Sequence, residues 1–191
     1  MGASGWSYFV PYEADISAAL QRLREDVFAR GDYATAEDTI AAMDWEAAAK
    51  QNLEWAKNPE LPPKTRESYL AAASDYRKRH WAQVLAPKQP PAPKPRSIDE
   101  LLDQEGAEGT HSILDIRSIS PKAKVGAISP FPPDKLRRFF PSGMPSHAEI
   151  EEVYEFGSLE KYVSKRWRGI YIIAYNDGKP DEIFFAGCSG D

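Results

Sequence analysis

The chain has 191 residues, enough for one ordinary domain or two small ones with a real apolar core. Apolar residues at 42%, charged residues at 28%, five Trp and nine Tyr describe a folding chain and exclude a disordered one. A net charge of −5 sets the summed field against polyanions, which counts against nucleic acid unless a local basic face overrides it.

In chain order, Trp6 to Tyr12 alternates rings and small groups and predicts a short strand ended by Pro11, one that needs a partner elsewhere. Asp15 caps a helix in which Ile16, Leu20, Leu23 and Val27 keep one apolar stripe, and Gly31 supplies its left-handed stop. Thr35 with Asp38 resembles a capping box. Asp44 starts a second helix whose Trp45, Ala48, Ala49, Asn52 and Ala56 share a face, and Asn58-Pro59 ends it. A third helix is expected from Pro63–Thr65 to about Leu85, with Leu70, Ala73, Trp81 and Val84 on one side and Tyr69, Tyr76 and Gln83 on another.

From Ala86 to Arg96, Pro87, Pro90, Pro91, Pro93 and Pro95 remove backbone donors and push their predecessors out of the helical region, so this stretch reads as a semi-rigid connector. The organisation expected is a mainly helical region 1–86 with its short N-terminal strand, a proline-rich linker 87–96 and an α+β region 97–191. Both halves form one domain if the first strand joins the sheet.

Beyond the connector, Ser97-Ile98-Asp99-Glu100 is a capping box opening a short helix through Leu102 that stops near Gly106 and Gly109. Ser112–Ile119 and Lys124–Ser129 are rich in β-branched residues and predict two strands, paired as a hairpin across Ser120-Pro121. Asp134–Phe140 is a short amphipathic helix, and Ser146-His147-Ala148-Glu149 opens another that Gly157 closes. A helix from Leu159 to Trp167 then leads into strands Ile170–Tyr175 and Glu182–Ala186, joined through Asp177-Gly178, whose tolerance of positive φ marks a hairpin. The fold class is α+β: a helical N-terminal half, then a small, mostly antiparallel sheet covered by short helices.

The single cysteine, Cys188, closes no intramolecular disulfide and builds no thiolate metal cage, which fits a reducing compartment. The N-terminus lacks a secretory pattern, Trp6 stands where N-myristoylation wants Ser or Thr, and no apolar run spans a bilayer; a cytoplasmic protein without membrane contact is expected.

The three histidines, His80, His111 and His147, have no metal-ligand spacing, so neither metal nor cofactor is expected. His111 is the foremost proton-transfer candidate, since Gly109-Thr110-His111-Ser112 leads into a predicted strand where polar side chains can face a cleft, with Asp115 nearby. Gly187-Cys188-Ser189-Gly190 resembles a nucleophile elbow only superficially, because no helix follows to donate its amides; Cys188 remains a candidate nucleophile beside a distant His. Lys161, Lys165 and Arg168 fall at i, i+4 and i+7 of the predicted helix, one face able to bind an anion.

Two functions therefore compete, with a third behind them. One is a non-enzymatic protein-interaction or regulatory, immunity-type protein, favoured by acidity, many rings and the lack of a reactive constellation. Another is a small enzyme acting on a phosphate-bearing or nucleotide-like ligand, with Lys161, Lys165 and Arg168 holding the anion and His111 or Glu182 moving a proton. A weak nucleic-acid binder is the third.

Overall fold

The computed structural model describes residues 4–87 and 94–190. Most of the proline-rich stretch, residues 88–93, thus lies outside the described residues, as do residues 1–3 and 191. The chain forms two compact units: one from the residues up to Asp38 together with those from Pro95 onward, the other from Thr39 to Lys94.

The first unit is built on a five-stranded sheet of β1 (Gly5–Pro11), β2 (Ser118–Ile119), β3 (Ala127–Pro130), β4 (Arg168–Asn176) and β5 (Lys179–Cys188), in the order β1-β5-β4-β3-β2. The sheet is mixed but mostly antiparallel. β1 and β4 flank β5 in antiparallel pairing, while β3 runs parallel to β4 and to β2. The first strand thus finds its partner in the last one, and Tyr12 N extends the ladder to Asp181 O at 2.8 Å. The β4–β5 turn has Asp177 at φ 50° and Gly178 at φ 74°, the left-handed pair a two-residue hairpin requires.

Strand alternation sorts the side chains onto two faces. One face carries Trp6, Ile183 and Phe185 and packs against Leu20, Leu23 and Val27 of α1 (Ile16–Arg30), Leu101 of α5 (Ile98–Glu105) and the segment Ile113–Ile116. The other carries Ile170, Ile172, Ala174, Phe184 and Ala186 under Phe140, which follows α6 (Pro133–Phe139), Ile150 of α7 (His147–Glu155) and Val163 of α8 (Glu160–Val163). Fully burying side chains of this size stabilises the fold by about 1.5–3 kcal/mol each.

One row crosses every strand: Trp6 pairs with Gly187, Gly187 with Gly169, Gly169 with Ile128 and Ile128 with Ile119. The Trp6 indole lies over the two glycines. A Cβ on Gly187 would stand 2.5 Å from Trp6 Cζ2 and one on Gly169 2.8 Å from Trp6 Cη2, so glycine is what lets the ring approach the backbone.

Three local expectations give way to tertiary contacts. Ser112–Ile119 is a single turn of 3-10 helix, Ile113–Asp115, followed by the two-residue β2, because the Ser112 hydroxyl accepts from Leu114 N at 3.2 Å and the Asp115 carboxyl turns back onto Thr110. β2 and β3 pair in parallel rather than as a hairpin. The helix expected from Leu159 to Trp167 ends at Val163, and the chain turns through Trp167, at φ 59°, into β4.

The second unit holds α3 (Trp45–Ala56) and α4 (Pro63–Leu85), entered through α2 (Ala36–Ala42), which continues from the first unit. Asp44 caps α3, its carboxylate accepting from Ala47 N at 2.8 Å. Between α3 and α4, Trp45 meets Tyr76 at 5.7 Å, Trp55 meets Tyr69 at 5.5 Å, and the Arg79 guanidinium lies 5.2 Å from the Trp45 ring centre. Tyr69, Ala73 and Tyr76 point inward, whereas the stripe of Leu70, Trp81 and Val84 is left exposed.

Candidate functional site

The residues singled out from the sequence fall at different places on the sheet. β5 sets the scale: Glu182 lies near one end and Cys188 at the other, six residues and about 20 Å apart at the usual strand rise. His111 belongs to the Cys188 end. Its Nδ1 shares a 2.7 Å hydrogen bond with the Ser4 hydroxyl, and Ser4 O accepts from Ser189 N at 2.9 Å.

Glu182 instead meets His147, with Oε2 2.6 Å from Nδ1, and the His147 ring stacks on Phe9 at 3.8 Å. This pair ties the start of α7 to the sheet. His111 and Glu182 therefore do not converge on one cleft.

With α8 ending at Val163, Lys161, Lys165 and Arg168 share no helical face. Lys161 Nζ sits 5.1 Å from the ring centre of Tyr162, Lys165 is exposed in the following bend, and Arg168 opens β4 in register with Cys188. Cys188 is 2% exposed.

The groups that do gather around His111 were only partly readable from sequence. Asp115, 3% exposed, accepts at Oδ1 from Thr110 N at 2.8 Å and from the Thr110 hydroxyl at 2.9 Å, and that hydroxyl also meets Ser112 Oγ at 2.9 Å. Among the described residues neither its Oδ2 nor the Ser189 hydroxyl, both buried, has a hydrogen-bond partner, although Ser189 is close enough to pull on the carboxyl. Burial pushes the Asp115 carboxyl above its ordinary value, against the opposing pull of Ser189, of the Thr110 amide and hydroxyl, and of His111.

Backbone strain surrounds this carboxyl. Gly109 at φ 77° places its Cα where a Cβ would meet Asp115 Oδ2 at 2.8 Å and the Trp167 ring at 3.2 Å, and His111 and Trp167 both hold positive φ. Chemically the cluster can store a proton, but Thr110, Ser112, Asp115 and Ser189 are all buried, so a substrate reaches it only if the fold opens. Its evident work is to tie the Ser4 end of the chain, the 109–115 loop and the Ser189 end into one knot. Ser4 and His111 lie 107 residues apart, a pairing no local pattern announces.

Among the described residues no group of three or more His, Cys, Asp and Glu is placed to hold a metal ion, and no helix is long and apolar enough to cross a membrane. Compared with known proteins, the chain matches no family model, no curated protein and no solved structure.

What the geometry does present is surface. Of the ten exposed large hydrophobic residues among those described, seven lie in the second unit: Ile40, Met43, Trp55, Leu70, Trp81, Val84 and Leu85. Residues 39–94 also hold nine Lys and Arg against six Asp and Glu, a net of +3, which leaves −8 of the chain's −5 to the other unit.

Proposed function

We propose that the protein acts by binding another protein through its two-helix unit, in a regulatory or immunity-type role, rather than by catalysis. The observation that carries this reading is the exposed apolar stripe on α4. A helix of 23 residues buries one residue fully, Ala73, while Trp81 is 59% and Leu85 76% exposed. Exposed apolar patches of this kind, rich in Trp, mark interaction surfaces.

The partner's chemistry follows from charge. Arg77 and Lys78 precede Trp81 and make no ion pair among the described residues, and the unit as a whole is +3, so the surface it complements is an apolar groove with an acidic rim. A reducing, cytoplasmic setting goes with this reading, since the chain's single cysteine closes no intramolecular disulfide.

A photo-crosslinking phenylalanine in place of Trp81, introduced into the source cells, tests it. The expected result is one discrete adduct with an acidic protein, absent when the crosslinker replaces exposed Val125 on the other unit and lost with Trp55→Ser in the same chain. Adducts with a second copy alone, nuclease-sensitive adducts whose yield falls steeply with salt, or no adduct would each overturn the proposal.

A further inference from the structure

The first unit has a cavity of about 590 Å³ beside the α7–α8 elbow, lined by Gly5, Tyr154, Glu155, Gly157, Glu160, Val163, Ser164 and Cys188. Its volume lies in the range of small-molecule sites. The walls follow from strand parity: Gly5 and Cys188 are register partners on the face of the sheet that α7 and α8 cover, and Tyr154 is braced edge-on against Phe184 at 5.2 Å. Glycine keeps the wall open. A Cβ on Gly5 would meet nothing closer than Gly187 O at 3.9 Å, and one on Gly157 nothing within 4 Å.

Three negative sources converge on this space. Glu155 and Glu160 line it, neither makes an ion pair among the described residues, and no Lys or Arg is among the lining residues, although Arg168 lies across from Cys188 in the register. The third is the C-terminal end of α7, which has no basic residue in its last turn and instead carries Glu155 there, opposite to the arrangement the helix dipole favours. A cation at this position would offset all three, and Tyr154, Val163 and Cys188 supply apolar contact for the rest of the ligand.

We propose that this cavity binds an organic cation with an aliphatic body: a primary ammonium or guanidinium at the end of a methylene chain. The site is separate from the two-helix surface, and its test does not depend on that proposal. Two sources share the chemistry, a free amine and the Lys or Arg side chain of a protein.

The experiment is an amide chemical-shift titration of the full chain with hexylammonium, hexanol and N-acetyl-lysine methylamide. Hexylammonium is expected to give saturable shifts centred on Gly5, Gly157, Ser164 and Cys188. Glu155→Gln with Glu160→Gln should weaken it about tenfold, the sum of two exposed charge interactions. Gly5→Leu, whose Cβ would meet nothing closer than Gly187 O at 3.9 Å, occupies the cavity and should abolish binding while amide shifts elsewhere stay unchanged. If the capped lysine binds as tightly as hexylammonium, the natural ligand is a protein side chain; if it binds much more weakly, the ligand is a free amine. Equal binding of hexanol and hexylammonium, shifts scattered over the surface, or binding undiminished in Gly5→Leu would overturn the proposal.

Discussion

Replacing Gly187 by Ala probes the row in which Trp6 lies across the sheet. The new Cβ would stand 2.4 Å from Arg168 O and 2.5 and 2.6 Å from Trp6 Cζ2 and Cη2. Ordinary contact begins near 3.4 Å, so the indole must move by about 0.9 Å. Trp6 is itself buried and cannot yield alone, and the Arg168 carbonyl is fixed in the β4–β5 ladder. Overpacking a filled core costs about 1–3 kcal/mol, and the backbone contact places this substitution near the upper end, about 3 kcal/mol.

In urea that loss lowers the unfolding midpoint by about 1–2 M at unchanged slope. Trp6→Phe withdraws the atoms that Cβ would strike, so in that background Gly187→Ala should cost about 1 kcal/mol less, the remainder being the carbonyl contact. Two results would refute this account: a single-substitution cost below about 0.5 kcal/mol, or additivity of the pair within about 0.4 kcal/mol.

Asp115→Asn tests the buried carboxyl. Because the folded state raises its pKa above the ordinary 3.8, the parent's stabilising contribution from this group is full below that value and is lost as pH rises through the folded pKa. The stability difference should therefore shift in favour of the Asn variant between acid and neutral pH in thermal melts; a pH-independent difference would contradict it. Ser146→Ala removes a capping box in which Ser146 N donates to Glu149 Oε2 at 2.7 Å, and should cost about 1 kcal/mol in urea unfolding. Gly178→Ala forces a side chain into φ 74° at the β4–β5 turn and should cost about 1 kcal/mol, whereas Gly178→Asn should recover part of it. Trp81→Ser should leave the unfolding midpoint nearly unchanged, since the ring is exposed, and any large loss would show that α4 packs differently.

Much of the local structure was legible because its causes lie within a few residues. Asp15 caps α1 by accepting from Ser17 N and Ala18 N, Gly31 ends it at φ 71°, and Asp177-Gly178 turns β4 into β5. The same local reading gave Lys161, Lys165 and Arg168 a common face that does not form, since the helical turn needed to align them ends at Val163. The cavity residues were less visible still, although Glu155 carried a signal: an acidic side chain in the last turn before Gly157 runs against the helix dipole.

What the amino-acid sequence determined by itself was therefore the α+β class, the caps, the hairpin and the alternation that gives β5 two apolar faces. The tertiary structure alone decided which strand lies beside which, that β2 and β3 run parallel, that His111 meets Ser4 while Glu182 meets His147, and that α4 keeps its apolar stripe outside. The reason is range. Caps and turns are settled by hydrogen bonds between near neighbours, whereas register and convergence depend on burying surfaces contributed by residues far apart in the chain, which no local pattern records.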